Sequence, residues 1–248
     1  MNILIFDTET TSLDKPFCYN IGYVVATTTG ETLVQRDYVV EQAWHNLPLF
    51  SSAYYAEKRP LYVARMRARQ TVMDKFGYIC QQIARDIKTF GIEHAYAYNS
   101  GFDERVFEFN CDWYKCINPF ETITVHDIRG YVHNFIVNDN FKKWCDENNA
   151  YTDTGNYSTT AETIYRYLSG DTTFEEEHTA LSDSVIEYEI LGACINNGAN
   201  IKTDYQVFRS IENTRERTLT ITTRENETFS FQFSKMRMNK AKTEIKLK

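Results

Sequence analysis

The chain has 248 residues, 42% of them hydrophobic and 15% aromatic, enough for one large domain or two small ones with a proper core. No apolar run approaches the ~18 residues of a membrane span, and the N-terminus lacks a basic region followed by an apolar stretch and a cleavage site. Six cysteines (18, 80, 111, 116, 145 and 194) are too sparse for a secreted disulfide framework, so the expectation is a cytoplasmic chain with reduced thiols. Cys111 and Cys116 have no matching pair or histidine at zinc-finger spacing, so no structural zinc is expected. Net charge is −7, which disfavours non-specific nucleic-acid binding over the whole surface. Six of the 27 basic residues and one of the 34 acids fall within 235–248, leaving a basic tail on a body of charge −12.

In chain order, residues 2–7 read as a first strand, Tyr19–Thr28 as a second and Thr32–Val40 as a third, an antiparallel meander turning at Thr29-Gly30. Residues 42–70, broken by Pro48 and Pro60, interleave Tyr54, Tyr55 and Tyr62 with Lys58, Arg59, Arg65, Arg67 and Arg69. Helical turns at or near the surface are expected there. They read either as a nucleic-acid contact, with rings on bases and cations on phosphates, or as a solvated helix whose tyrosines pack on the core. Val72, Phe76, Ile79, Ile83, Ile87 and Phe90 give an amphipathic helix over 71–90, ended by Gly91. A short strand at 94–98 leads through Asn99-Ser100-Gly101-Phe102-Asp103 into a helix over 104–109. A strand at 121–125 and helices at 126–136 and 140–148 follow. Thr159-Thr160-Ala161-Glu162 is a capping-box pattern opening a helix to Leu168. A polar, acidic loop over 171–179 precedes a helix carrying Leu181, Val185, Tyr188, Leu191 and Ile195 on one face. From Arg217 the pattern alternates through Leu219, Ile221 and Thr223, and then Phe229, Phe231 and Phe233, a hairpin across Glu225–Glu227. The order predicts an α/β fold, a mixed sheet with helices on its faces.

The chemistry concentrates at the end of the first strand. Asp7 and Glu9, spaced i and i+2, point the same way at the end of an apolar run. Two adjacent carboxylates resist ionising together, and a cation between them removes that conflict; oxygen-only ligands suit Mg²⁺ or Mn²⁺. Asp103 lies at a second strand-to-helix junction. His178 and Asp183 are five apart, about 140° from facing together on one helix. They serve one site only if His178 sits on the loop and Asp183 in the helix's first turn.

Phe6-Asp7-Thr8-Glu9-Thr10-Thr11-Ser12-Leu13, Asn99-Ser100-Gly101-Phe102-Asp103 and His178-Thr179-Ala180-Leu181-Ser182-Asp183 resemble, in order, the three motifs of the DEDDh (DnaQ-like) 3′–5′ exonucleases, whose members include ribonuclease T and oligoribonuclease. The resemblance covers residues 3–190 and implies a ribonuclease-H-like fold. It further implies two divalent cations, Mg²⁺ or Mn²⁺. Asp7 would bridge them, Glu9 and Asp183 would complete one site, Asp103 would hold the other partly through water, and His178 would be the general base. Ser12 stands where the family often has Gly, and Tyr98 where it often has His; neither removes a ligand. Thr10, Asn99, Phe102 and Arg65 are the candidate substrate contacts, with a turn-making role open for Asn99 and a core role for Phe102. His126 and His133, seven apart on the expected helix, read as surface or core histidines.

The expected activity is release of nucleoside 5′-monophosphates from the 3′ ends of single-stranded DNA or RNA by an exonuclease domain over 1–200. Residues 201–248 would form a hairpin and basic tail outside the resemblance. Homodimerisation, a polymerase partner docked through that tail, and a nucleic-acid-binding adaptor of the same fold stay open as alternatives.

Overall fold

The first strand, β1 (Asn2–Thr10), is built on Ile3, Leu4, Ile5 and Phe6, all fully buried. Alternation sends Leu4 and Phe6 into one apolar cluster and Ile3 and Ile5 into another. The strand is therefore covered on both faces, and each of these side chains stabilises the fold by roughly 1.5–3 kcal/mol. A computed structural model describes residues 1–208, 211, 217–222 and 228–233.

In order, β2 (Cys18–Thr27) and β3 (Thr32–Val40) complete the expected meander. Short helices α1 (Glu41–His45) and α2 (Leu47–Phe50), a 3-10 turn (Ala56–Lys58) and α3 (Arg59–Arg67) follow. Then come β4 (Val72–Asp74), α4 (Phe76–Phe90), β5 (His94–Ala97), α5 (Gly101–Tyr114), β6 (Thr124–Asp127), α6 (Ile128–Phe135) and α7 (Asp139–Asn148). The chain continues through α8 (Ala161–Ser169) and α9 (Ala180–Asn196) to the hairpin strands β7 (Arg217–Thr222) and β8 (Thr228–Phe233).

Six strands form one sheet in the order β4-β3-β2-β1-β5-β6. The pairs β1–β2 and β2–β3 are antiparallel, whereas β3–β4, β1–β5 and β5–β6 are parallel, so β2 alone runs against the rest. This is the mixed α/β sheet with helices on its faces expected from the element order. Helices α4 and α5 cover one face through Phe76, Ile79, Ile83, Val106 and Phe107. Helices α6 to α9 cover the other through Tyr131, Phe141, Ile164, Ile186 and Ile190. A third cluster, with Tyr19, Trp44, Phe50 and Tyr62, seats α1–α3 against the end of the meander. Residues 201–205 lie on the second face, where the hydroxyl of Tyr96 donates to the Ile201 carbonyl at 2.5 Å and that of Tyr131 to the same oxygen at 3.0 Å. No helix among the described residues is long and apolar enough to cross a membrane.

Several boundaries differ from the sequence reading. The helix expected over 71–90 begins at Phe76, because Val72–Asp74 pairs with Tyr38–Val40 as an edge strand. The strand expected at 121–125 lies at 124–127, which puts His126 on β6 rather than on a helix with His133. There its ring lies 2.9 Å from His94 and also meets Asp204. Helix α8 is capped by Thr160, which accepts from the Thr163 amide at 3.2 Å, and Glu162 turns instead to the Glu176 amide and Arg166. Strands β7 and β8 pair antiparallel from Arg217↔Phe233 to Thr222↔Thr228. Thr223, Glu225–Glu227 and the basic tail 235–248 lie outside the described residues.

Candidate metal centre

Asp7 and Glu9 lie in the last half of β1, opposite Gly22 and Asn20 of the antiparallel neighbour β2. Those two partners dock the distant helix that carries Asp183. A Cβ on Gly22 would lie 2.0 Å from the Leu181 nitrogen and 2.1 Å from the Ala180 carbonyl carbon, so the backbone of α9 lies directly on the strand. Ser184 clamps the contact by donating to the Gly22 carbonyl at 3.1 Å. Asn20, fully buried, accepts from the Ala180 amide at 2.8 Å and so caps α9 from across the sheet. The same side-chain oxygen accepts from the Tyr62 hydroxyl at 2.9 Å, and the amide donates to Asp37 and to the Tyr38 carbonyl. Thr179 and Ser182 complete the cap with hydroxyls 2.8 Å apart. Asp183 consequently sits in the first turn of α9, with His178 on the loop two residues ahead of it, the arrangement that their spacing demands.

Carboxylate oxygens of Asp7, Glu9 and Asp183 all lie within 4.8 Å of one another, and all three residues are half-buried. Asp103, in the first turn of α5, is buried beside them and accepts from the Thr8 hydroxyl at 2.6 Å. Thr8 faces the opposite side of β1 from Asp7 and Glu9, so one strand end holds all three motifs' acids around it. A further acid, Glu187, lies one turn beyond Asp183, fully inside the protein, where it accepts from the Tyr98 amide at 3.1 Å. The sequence reading missed it; its i+4 spacing from Asp183 was the available signal.

Burial pushes every acid of this cluster upward. Burial, and then the charge of Asp103, push the Asp7 carboxyl well above the usual carboxylate range, with Glu187, Asp183 and Glu9 adding to it. Burial and Asp183 raise Glu9 to about 8, against the opposing pull of Lys58 and the Tyr19 hydroxyl. Burial raises Asp103 to about 7 against its hydrogen bond from Thr8, and Asp183 to about 6 against its bond from Ser182. Burial and Asp103 hold Glu187 high as well. Carboxylates in this state either keep protons or meet cations. An oxygen-only donor set that is half open to solvent fits Mg²⁺ or Mn²⁺.

His178 lies to one side of the acid trio. Its ring stacks on Tyr55, with centroids 4.7 Å apart and planes 13° apart, and its Nδ1 is 3.6 Å from Glu176. Its backbone has φ +50°, the left-handed region, so the imidazole leaves the chain at a sharp bend. Burial and then Lys58 lower its pKa. Lys58 also donates to the Glu177 and His178 carbonyls, the latter at 3.2 Å. Arg65 donates to Thr179 at 3.0 Å and pairs with Glu177. Helix α3 and the turn before it thus clasp the histidine loop. The interleaved tyrosines and cations of 42–70 divide by role: Tyr62 is core, Tyr55 stacks on His178, and Tyr54 is exposed.

The remaining candidate substrate contacts lie around this end of the sheet. Thr10 ends β1 with its hydroxyl on the Ser12 carbonyl at 3.2 Å. Asn99 is exposed, has φ +63°, and donates its amide to Asp127 at 2.9 Å. Phe102 is half-buried against the first cluster, with Arg105 5.7 Å from its ring centre. Arg65 is engaged with the histidine loop as described.

No family model and no curated protein matches the sequence. Among solved structures, the chain is similar to E. coli Exonuclease I in complex with a dA16 oligonucleotide (TM-score 0.43, 11% identity, covering 79% of this chain and 41% of that one). It is also similar to the same enzyme in complex with a dT13 oligonucleotide (TM-score 0.47, 14% identity, 77% and 40%). The chain spans about two fifths of the length of these structures.

Proposed function

We propose that the chain is a two-metal-ion 3′–5′ exonuclease that hydrolyses phosphodiester bonds at the 3′ ends of single-stranded DNA or RNA and releases nucleoside 5′-monophosphates. The observation that carries this reading is the convergence of Asp7, Glu9 and Asp183 from a strand end and a distant helix start, with Asp103 buried beside them. Asp7, Glu9 and Asp183 would hold one divalent cation, and Asp7 and Asp103 a second. When bound, the pair supplies positive charge to the attacking and leaving oxygens of an in-line displacement. His178 takes a proton from the attacking water as its oxygen bonds to phosphorus, and the bond to the 3′ oxygen of the preceding nucleotide breaks. A lowered pKa keeps that imidazole neutral and able to accept the proton at neutral pH. Tyr55, Lys58 and Arg65 orient the loop that carries it.

The proposal assigns this chemistry to residues 1–200 and leaves 201–248, with the β7–β8 hairpin, as an appendage. It is tested with matched 5′- and 3′-labelled DNA and RNA, single- and double-stranded, with Mg²⁺ or Mn²⁺ and with EDTA. Mononucleotide release from the 3′ end, abolished by EDTA and by Asp7→Ala or Asp183→Ala in folded protein, is the expected result. Wild-type degradation by either variant would refute the assignment.

A further inference from the structure

Outside the acid cluster, the fold gathers the three thiols of Cys80, Cys111 and Cys116, whose sulfur atoms all lie within 4.8 Å of one another. They come from separate places. Cys80 lies in the second turn of α4, Cys111 in the last turn of α5, and Cys116 just beyond it. In sequence the trio is illegible, since Cys80 and Cys111 are 31 positions apart and no short C-x-x-C spacing marks it.

The backbone fixes the geometry before any ion arrives. Lys115 ends α5 in the left-handed region at φ +55°, turning the chain so that the Cys116 amide donates back to the Cys111 carbonyl at 3.0 Å. Gly77, one turn before Cys80, lies beside Cys116, whose Cβ would be in ordinary contact, at 3.5 Å, with a Cβ added there. Cys80 and Cys111 are buried, and Cys116 is half-exposed, so the trio has an inner wall and an outer opening. Isolated buried cysteines behave as small apolar groups packed against carbon; here three sulfurs face each other at a helix–helix corner.

We propose that Cys80, Cys111 and Cys116 form a three-sulfur site for a soft transition-metal ion, Zn²⁺ foremost, that staples α4 to the end of α5. Zinc–sulfur bonds of about 2.3 Å around a tetrahedron place sulfurs about 3.8 Å apart, so each pair closes on the ion by at most about 1 Å. Binding expels the thiol protons to solvent and is favoured by rising pH. The fourth position faces the opening beside Cys116, where water completes the shell. Soft thiolates select this class of ion, whereas the carboxylates at the end of β1 favour hard ones. The staple also bears on α5 as a whole, the helix whose first turn holds Asp103.

Co²⁺ is the probe for the full chain under reducing conditions, because sulfur-to-cobalt charge-transfer absorption reports thiolate ligation and carboxylates give none. The expected result is about one thiolate-bound Co²⁺ per chain, displaced by Zn²⁺, present in Asp7→Asn and lost in Cys116→Ser. Absence of the band in the folded wild type, or its persistence at full strength in Cys116→Ser, overturns the site. A second measurement needs no variant. Alkylation of Cys116 in the wild-type chain, mapped by mass spectrometry, slows about tenfold or more with Zn²⁺ and is unchanged by Mg²⁺. An unchanged rate with Zn²⁺ refutes the proposal.

Discussion

Gly22→Ala tests how the proposed metal centre is assembled. The new methyl would lie 2.0 Å from the Leu181 nitrogen, whereas ordinary contact begins at 3.4 Å. Both neighbours are backbone, so no side chain can swing aside, and α9 must retreat by about 1.4 Å or tilt at its first turn. Overpacking of this kind costs about 1–3 kcal/mol. The hydrogen bond from Ser184 to the Gly22 carbonyl, 3.1 Å long, is strained by the same movement. Asp183 moves with α9 while Asp7, on β1, stays. A misplacement of about 1 Å in a catalytic constellation can cost roughly 10²-fold in rate. Urea unfolding and hydrolysis of a 3′-labelled oligonucleotide with Mg²⁺ measure the two effects, and Gly192→Ala serves as control. Gly192 lies inside α9 with nothing within 4 Å of an added Cβ, so alanine there should stabilise by roughly 0.5–1 kcal/mol. If Gly22→Ala kept wild-type stability and rate, the docking of α9 on β2 would not be what sets the site.

Asn20→Ala should destabilise by roughly 3 kcal/mol, because it strips partners from the buried Ala180 amide, the Tyr62 hydroxyl and Asp37; a change under 1 kcal/mol in urea unfolding would contradict the capping role. The metal-free protein should lose stability as pH rises from about 4 to about 8. Glu9 and Asp103 hold protons up to about 8 and about 7 in the folded chain, whereas unfolded acids release theirs near pH 4. Stability from these groups is thus complete below the unfolded values and lost through the folded ones, and added Mg²⁺ should flatten the profile; melting curves that rise with pH without metal would count against this. Lys58→Met removes a cation that lowers the pKa of His178 and steadies the charged forms of Glu9 and Asp183. The acid limb of the rate profile should move to higher pH, and an unmoved limb would sever Lys58 from the site.

Periodicity made the long elements legible. The Ile3–Phe6 run and the i, i+3, i+4 pattern of α4 each encode burial locally. Short elements escaped because three-residue β4 carries no period of its own; only pairing with Tyr38–Val40 makes it a strand. His126 was assigned to a helix because residues 124–127 are neither long nor strongly apolar. Asp7, Glu9, Asp103 and Asp183, which the fold brings together, could be proposed as a set because motif order and residue type survive in one dimension. Asn20 and Gly22 could not: Asn20 caps a helix 160 residues away, and Gly22 matters for the side chain it lacks. Tyr55 was read among surface rings, and its partner, His178, is reached only through the fold.

The same packing that assembles the acids also sets them against the fold. Asp103 raises the pKa of both Asp7 and Glu187, Glu187 adds to that of Asp7, and Lys58 opposes the rise at both Glu9 and Asp183. Like charges confined this way weaken the folded state unless protons or cations join them. The structure holds them by fixing the backbone rather than by neutralising each acid. Gly22 brings the backbone of α9 onto β2, Asn20 binds its first amide, and Thr8 ties Asp103 to β1. The strand end of Asp7 and Glu9 is therefore only half of the centre. The other half is the neighbouring strand, whose Asn20 and Gly22 stand directly opposite the two acids and decide whether Asp183 can reach them.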